Sequence, residues 1–285
     1  MALESLGISP EHEKAVAGAT LIGSLWYYAA TVFYPCLPLK QAGLYRPRHV
    51  GDRPPLPDGP GLGVHYSRRH PFPVLLEERP PGYELGDGFD HVAHEYESYI
   101  EPFSGPVIRE ALAVMRPYLT PSSRVIDTSC GAGTEATMLA TLVPDGEVVA
   151  ADLAAVMVET TFTRARGMGI GNMAFFQADV SRMPAAFGDS FDATFNSLAF
   201  HHYPDPPAAT RELHRVLRPG GYAFIVDAGP AWFKLMSSWL AAWADPGWIG
   251  FHTEDEFEAL FRGAGFSRFH WEELLPGLGL VIAQK

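Results

Sequence analysis

The sequence predicts an α/β fold in which a mostly parallel sheet is flanked by helices. A short apolar strand, a glycine turn and a helix follow one another over 124–139. Strand-like apolar runs then alternate with amphipathic helices up to residue 226, and a hairpin over 268–283 closes the chain. Alternating strands and helices are typical of parallel sheets with crossover connections. The closing hairpin adds an antiparallel pair at one edge.

The strands are short apolar or β-branched runs, several of which end in a polar residue, and this composition suits strands covered on both faces. The predicted strands are 125–127, 147–151, 174–178, 190–196, 222–226, 268–275 and 278–283. A capping box, Thr253 with Glu256, predicts the start of the last helix. Leu217-Arg-Pro-Gly-Gly221 predicts a turn before the fifth strand.

Composition and charge exclude several classes of protein. The chain has 285 residues and a net charge of −12, without a cluster of Lys and Arg. Phosphate neutralisation supplies most nucleic-acid affinity, so we expect no nucleic-acid partner. Only Cys36 and Cys130 occur, which is too few for a disulfide framework and favours a cytoplasmic location. No secretory signal is evident.

Residues 1–88 are predicted to form an N-terminal extension. Residues 15–34 carry no charge and are mildly apolar, which fits a buried or lid helix, a membrane-surface helix or a membrane span. Contact with a membrane surface through this segment is therefore one expectation. Residues 42–88 are rich in Pro and Gly, which predicts an irregular arm or a lid over a substrate pocket.

Two helices are predicted between the extension and the first strand, at 89–100 and 106–118. His91 and His94 are three residues apart and could share a face, as metal ligands do. No third ligand is evident, so we expect no metal site.

The glycine turn after the first strand predicts a nucleotide-type cofactor. Gly131 and Gly133 remove side chains where a ligand must approach the backbone, and the next helix points its N–H groups at that ligand. The spacing to Asp152 also fits a dinucleotide fingerprint. However, Asp127 at the strand end would repel a pyrophosphate and suits the ammonium of an amino acid. The turn therefore favours S-adenosylmethionine over NAD.

The turn resembles the cofactor loop of the class I S-adenosylmethionine-dependent methyltransferases. The family pattern is Asp-x-Gly-x-Gly-x-Gly, and this chain has Asp127-Thr-Ser-Cys-Gly-Ala-Gly133, with Ser129 in place of the first glycine. The serine adds a hydroxyl that could bond the ligand. The resemblance covers about 89–285 and implies a Rossmann-like, seven-stranded, mostly parallel sheet whose last strand pair is antiparallel, in a methyltransferase domain at 89–285.

The strand ends supply the remaining cofactor-binding candidates. Asp152 can accept hydrogen bonds from both ribose hydroxyls, and a strand-end carboxylate such as Asp179 could instead cap its own turn at Ser181. In the resembled family, Met157 would pack on adenine, Asp179 and Val180 would meet the adenine ring, and Tyr96 would close over the cofactor. The cofactor-binding residues indicated are Tyr96, Asp127, Ser129, Cys130, Gly131, Gly133, Asp152, Leu153, Met157, Asp179, Val180 and Asn196.

The loop after the fourth strand should meet the methyl acceptor, because ligands bind at this edge of open α/β sheets. His202 and His201 lie in this loop and are the candidates for a catalytic base, although a histidine pair here could also be scaffold. Trp232 and the other aromatics of 231–244 are either core or the lining of a pocket for a flat, apolar acceptor.

Ala93-x-x-Tyr96 and the C-terminal sequence also resemble the ubiquinone/menaquinone-biosynthesis C-methyltransferases. This resemblance implies C- or O-methylation of a small, apolar or aromatic acceptor of the quinone or phenol kind, or of a specialised metabolite. Two alternatives remain. One is a cyclase or cofactor-binding protein of the same fold that does not methylate. The other is an NAD-dependent oxidoreductase.

Overall fold

The structure is a computed structural model that describes residues 64–66, 73–75, 93–244 and 249–285, with side chains at 104–239 and 249–285. The predictions for 15–34, for most of the arm at 42–88 and for His91 fall outside the described residues. Two short pieces of the arm are described, and both are strands. The boundary between extension and domain stays a prediction.

The described part contains nine strands and six helices in one mixed sheet and its flanking layers. The strands are β1 (Val64–Tyr66), β2 (Pro73–Leu75), β3 (Arg124–Asp127), β4 (Glu147–Asp152), β5 (Met173–Gln177), β6 (Phe191–Ser197), β7 (Leu217–Ala228), β8 (Arg268–Leu275) and β9 (Leu278–Gln284). The helices are α1 (Ala93–Met115), α2 (Thr134–Leu142), α3 (Ala155–Gly167), α4 (Pro206–Val216), α5 (Ala231–Ala244) and α6 (Glu254–Gly263).

The sheet order is β1-β2-β5-β4-β3-β6-β7-β9-β8. The five central strands, β5, β4, β3, β6 and β7, are parallel to one another. Strand β9 pairs antiparallel with β7, and β8 pairs antiparallel with β9. The predicted seven-stranded Rossmann-like sheet with an antiparallel last pair is therefore confirmed. The short β1 and β2 extend its edge beyond β5. They come from the Pro-rich arm, and Pro73 is the first residue of β2, a position where a strand tolerates proline.

Register places the polar strand ends along one edge. Asp127 at the end of β3 is opposite Ala150 on β4 and Phe195 on β6. Asp152 at the end of β4 is opposite Gln177, the last residue of β5. Parallel strands keep their carboxyl ends together, so the loops after β3, β4, β5 and β6 converge there.

The central strands β3, β4 and β6 are buried on both faces, as their apolar residues predict. Along β3, Val125 packs into the hydrophobic cluster with α1 and α2, while Ile126 packs into the opposite cluster with α4 and α6. Successive strand side chains point to opposite faces, so two adjacent apolar residues serve two separate layers. The predicted capping box is present, with the Thr253 hydroxyl and the Glu256 carboxylate each accepting the other's N–H.

The structure corrects the prediction of two helices before β3. A single helix, α1, runs through Pro102 and Pro106 to Met115, and a short 3₁₀ turn follows. Proline inside a helix costs about 3 kcal/mol. The C-terminal half buries five apolar side chains in the core: Val107, Ile108, Ala111, Leu112 and Met115. At about 1.5 to 3 kcal/mol for each large side chain, their burial outweighs that cost.

In helix α5, the aromatic side chains predicted to be either core or pocket lining differ in their burial. Phe233 is buried in the core, whereas Trp232 is 37% and Trp239 is 71% exposed. Trp232 and Trp239 therefore do not belong to the core. Among the residues that the structure describes, no helix is both long and apolar enough to cross a bilayer.

Candidate active site

A pocket of about 160 Å³ opens at the carboxyl edge of β3, β4, β5 and β6. We call it the strand-end pocket. It is lined by Ser104, Thr128, Ser129, Gly131, Ala132, Thr134, Glu135, Asp152, Leu153, Met157, Ala178, Asp179, Val180, Ser197, Leu198, Ala199, His202, Tyr203 and Pro204. Seven of the twelve predicted cofactor-binding residues are in this lining. They are Ser129, Gly131, Asp152, Leu153, Met157, Asp179 and Val180, and the predicted base His202 makes an eighth.

The two glycines of the turn have different roles. Both adopt positive φ, +50° at Gly131 and +89° at Gly133, which favours glycine. A Cβ at Gly131 would meet no atom of the described residues within 4 Å, so among these residues the backbone here leaves room for a ligand. A Cβ at Gly133 would lie 2.7 Å from two side-chain atoms of Thr161 on α3. Gly131 therefore serves the pocket, and Gly133 serves the packing of α3 against the turn.

Replacing Gly133 with alanine is expected to destabilise the protein by about 2 to 4 kcal/mol, because it adds backbone strain and a steric clash with Thr161. Urea unfolding should show a lower midpoint with an unchanged slope. Gly171→Ala is the matched control. It has ordinary φ and an open surrounding, so it should change the stability by less than about 0.5 kcal/mol. Equal effects of the two changes would contradict the assignment.

Asp152 is fixed at the pocket wall by backbone donors. Its Oδ2 accepts the N–H of Gly131 at 2.9 Å, and its Oδ1 accepts the N–H of Ala154 at 2.9 Å. An ionised carboxylate has about four acceptor positions, so each oxygen can still accept a ligand hydroxyl. The ribose assignment of Asp152 stays a prediction.

Asp127 lies buried behind the turn rather than in the pocket lining. Burial, reinforced by the negative charge of Glu135, raises the pKa of Asp127 well above its ordinary value, although the N–H of Ser129 opposes the shift. Its Oδ1 accepts that N–H at 3.3 Å. Its Oδ2 is buried and has no hydrogen-bond partner among the described residues. A buried acceptor without a donor is costly, so this oxygen fits the ammonium group of S-adenosylmethionine.

Binding of S-adenosylmethionine is therefore expected to release a proton. In the free protein the pKa of Asp127 is raised, and a bound ammonium lowers it by favouring the ionised form. Affinity should rise with pH up to the raised pKa of Asp127 in the free protein and level off above it. Isothermal titration in two buffers of different ionisation enthalpy measures the proton. Asp127→Asn should abolish the release, and release that persists in this variant would contradict the assignment.

The third strand end combines two roles that seemed to be alternatives. Asp179 lies in the pocket lining, and its Oδ1 also accepts the N–H of Ser181 at 2.8 Å. The carboxylate therefore caps its own turn at the pocket, and its contact with adenine stays a prediction. Met157 is 2% exposed and Val180 is 7% exposed, and both line the same wall. This wall suits a flat, apolar ring such as adenine.

The hydroxyl of Ser129 is not a donor to the ligand. It donates to the carbonyl of Thr128 at 2.8 Å and lies 2.8 Å from the phenolic oxygen of Tyr203. One hydrogen is all that a serine hydroxyl has, so toward a ligand it can only accept. An ammonium group is a donor, and Ser129 therefore remains compatible with the cofactor.

Besides Asp127, three predicted cofactor residues lie outside the pocket lining. Cys130 is buried, and its thiol accepts a weak hydrogen bond from Thr161 at 3.6 Å. Burial raises the pKa of that thiol. Gly133 packs against Thr161 as described above. Asn196 is fully buried behind the pocket and donates to the Tyr203 hydroxyl at 2.6 Å. Tyr96 lies in α1, and its side chain is outside the described part.

The structure separates the two histidines that the sequence could not distinguish. His201 is buried, and its Nδ1 lies 2.9 Å and 3.0 Å from the two carboxylate oxygens of Asp227. Burial alone would raise the pKa of Asp227, but His201 and the backbone N–H groups lower it overall. His201 is therefore a buried structural partner of β7 and not a base in the pocket. His202 is half-buried and lines the pocket.

Several residues of the pocket lining were not predicted from the sequence. Tyr203 is 7% exposed and connects the loop after β6 to the cofactor loop. Glu135, in the first turn of α2, accepts the hydroxyl of Ser197 at 3.2 Å. Leu198 has φ +49°, a strained conformation for a bulky residue that is often found at functional sites. The available signals were the carboxylate two residues after Gly133 and the tyrosine next to the histidine pair.

Comparison with known proteins agrees with this geometry. Residues 125–221 match the family of methyltransferase domains. The chain is 28% identical over 221 residues to the 2-phytyl-1,4-naphtoquinone methyltransferase of Synechococcus elongatus, and the match covers 69% of this chain and 94% of that protein. It is 30% identical over 159 residues to the ubiquinone/menaquinone biosynthesis C-methyltransferase of Pseudomonas savastanoi, covering 54% of this chain and 61% of that one.

A solved S-adenosylmethionine-dependent methyltransferase from Aquifex aeolicus shares the fold, with a TM-score of 0.55 and 20% identity over 68% of this chain and 97% of that chain. The matches support methyl transfer to a small molecule rather than the cyclase, cofactor-binding or NAD-dependent alternatives. The matches and the fold support a class I S-adenosylmethionine-dependent methyltransferase, an enzyme that transfers the methyl group of that cofactor to a small molecule.

Proposed function

We propose that the acceptor is an aromatic hydroxyl compound of the quinol or phenol class, and that His202 is the base that removes its hydroxyl proton. The observation that carries this proposal is that His202 lines the same pocket as Asp152 and Asp179. The base therefore shares a cavity with the cofactor-binding carboxylates. Leu198 and Ala199 beside it give the wall an apolar character. Relatives named as quinone methyltransferases support the same acceptor class.

The residues of the pocket divide the work. Asp152 and Asp179 hold the nucleoside end of the cofactor, and Asp127 holds the ammonium group of its amino-acid end. S-adenosylmethionine, when bound, supplies an already activated methyl group. Holding donor and acceptor in line can contribute roughly 7 to 11 kcal/mol to catalysis. Methyl transfer also requires a nucleophilic acceptor. Removal of a hydroxyl proton by His202 makes the aromatic ring electron-rich and therefore more nucleophilic.

Label transfer from S-adenosylmethionine carrying a radioactive methyl group tests the acceptor class. We expect label in a reduced prenyl naphthoquinol and in simpler phenols. We expect none in the matching oxidised quinone, which has no hydroxyl proton for His202 to remove. Transfer to both forms at equal rates would contradict a role for deprotonation. Label in neither, with cofactor binding intact, would contradict the acceptor class.

The net charge of the protein leads to a second expectation about the acceptor. The chain has a net charge of −12, so an anionic acceptor would be repelled at long range. Neutral quinols should therefore be methylated faster than carboxylated analogues of the same ring. A preference for the carboxylated analogue would argue for a cationic subsite that this acceptor class does not need.

A further inference from the structure

We propose that Tyr203 is a positioning residue that locks the cofactor loop to the acceptor loop through its hydroxyl group. This role rests on the cofactor half of the enzyme's reaction and not on the identity of the acceptor. Tyr203 directly follows His202 in the loop after β6. Its phenolic oxygen lies 2.8 Å from the Ser129 hydroxyl in the loop after β3. The loops after β3 and β6 therefore meet at the Tyr203 hydroxyl, through two residues that are 74 positions apart in sequence.

The proton count gives this contact a direction. The Ser129 hydroxyl uses its hydrogen on the carbonyl of Thr128, so it must accept from Tyr203. The Asn196 side-chain amide donates to Tyr203 at 2.6 Å. Hydrogen bonds thus run from Asn196 to Tyr203, from Tyr203 to Ser129, and from Ser129 to the backbone of Thr128. Bonds aligned head to tail polarise and strengthen one another.

Burial makes the loss of any of these hydrogen bonds costly. Asn196 is fully buried and Tyr203 is 7% exposed, so water cannot readily replace a lost partner. Thr128 Oγ1 adds a longer contact to the same phenolic oxygen at 3.4 Å and also donates to the Phe195 carbonyl at 3.2 Å. The tyrosine hydroxyl is therefore the point where β3, β6 and both functional loops are joined.

The same network accounts for the departure from the family pattern. Ser129 stands where the resembled loop has its first glycine. A glycine would offer Tyr203 no side-chain acceptor. Serine and tyrosine together hold the loop by a specific bond, whereas a glycine loop is held by its backbone alone. We therefore expect Ser129 and Tyr203 to act on cofactor affinity as a pair.

A double-mutant cycle on S-adenosylmethionine binding tests the pair. Tyr203→Phe and Ser129→Ala should each weaken binding about 5- to 20-fold, since each breaks the same bond and Tyr203→Phe leaves a buried donor unsatisfied. The double variant should bind about as weakly as the weaker single variant, and not by the product of the two effects. Isothermal titration below the melting temperature gives the affinities. Kinetics should show a higher KM for the cofactor with a smaller change in kcat.

Tyr222→Phe is the matched control. This half-buried tyrosine packs against the exposed Tyr118, with ring centroids 4.8 Å apart, and is not in the pocket lining. Its variant should bind the cofactor as the wild type does. Unchanged affinity in Tyr203→Phe together with a lower melting temperature would overturn the proposal, because the hydroxyl would then be structural only. Effects that multiply in the double variant would also overturn it.

Two further outcomes keep the test decisive. Ser129 is half-buried, whereas Tyr203→Phe leaves the buried Asn196 amide without its acceptor. Ser129→Ala should therefore fold even if Tyr203→Phe does not, and wild-type affinity in Ser129→Ala would overturn the proposal by itself. A wild-type protein that binds no S-adenosylmethionine would contradict the cofactor assignment and hence the proposed function. Normal wild-type binding with insensitive variants would contradict only the role of Tyr203.

Discussion

Asp152→Ala is expected to weaken the binding of S-adenosylmethionine by at least about 100-fold. The carboxylate is placed to accept both ribose hydroxyls, and a hydrogen bond to a charged group contributes about 1.5 to 3 kcal/mol. Two such bonds correspond to a loss of more than two orders of magnitude. Isothermal titration with the purified variant measures the change. Unchanged affinity would refute the ribose assignment.

The loss has a second source in the protein itself. Asp152 accepts the N–H groups of Gly131 and Ala154, so the alanine variant also releases the cofactor loop. Asp152→Asn separates the two sources only in part, because its NH₂ group would face one of these N–H donors. We therefore expect the asparagine variant to bind nearly as weakly as the alanine variant. Wild-type affinity in Asp152→Asn would mean that shape, and not charge, holds the ribose.

Asp145→Ala is the control for loss of an acidic residue. Asp145 is exposed in the turn before β4, at the opposite end of the strand from Asp152. Both variants change the net charge of the protein by one unit. Removing Asp145 should leave cofactor affinity and stability near those of the wild type, since exposed positions away from special features rarely matter.

His202→Gln is expected to lower kcat by about 100- to 10,000-fold, the range that a positioned general base contributes. Glutamine is similar in size and cannot take up a proton at neutral pH. The cofactor contacts at Asp152 and Asp179 remain, so binding of S-adenosylmethionine should change little. Single-turnover methyl transfer at saturating cofactor measures the chemical step apart from product release.

The pH dependence distinguishes a base from a merely shaped pocket wall. A base must be neutral to accept a proton, so wild-type kcat should rise with pH across the range in which histidines titrate, about pH 5 to 8. The rise should disappear in His202→Gln. A variant with reduced activity and the same pH profile would show that His202 positions the acceptor without taking its proton.

His270→Gln is the matched control for the histidine change. His270 is exposed on β8 and pairs with Glu272 at 3.0 Å, away from the pocket lining. Its replacement should leave both kcat and the pH profile unchanged. A loss of activity in this variant would show that the assay responds to general destabilisation.

Much of the cofactor half could be predicted from the sequence, for a simple geometric reason. Asp127, Asp152 and Asp179 each stand at or just after the end of an apolar strand. In a parallel sheet the carboxyl ends share one edge, so knowing the strands is enough to bring these carboxylates to one side. The glycine turn was equally readable, because positive φ restricts the choice of residue.

The acceptor half could not be predicted in the same way. His201 and His202 are adjacent in sequence, and nothing local tells which ring faces the pocket. The choice was made by Asp227 on β7, 26 residues away, which takes the His201 ring into the core. The Pro-containing segment before β3 shows the same effect. Local signals predicted a break there, and the burial of the second half of α1 kept the helix continuous.

The sequence by itself determined the fold class, the cofactor and the edge of the sheet at which the chemistry takes place. These follow from periodicity and strand-end residues, which act locally or through the regular geometry of a parallel sheet. Only the tertiary structure decided which histidine lines the pocket, that Ser129 can accept but not donate to a ligand, and that Tyr203 joins the two loops. These depend on hydrogen bonds between residues that are 26 and 74 positions apart. Such partners are selected by how the chain packs and leave no local pattern in the sequence.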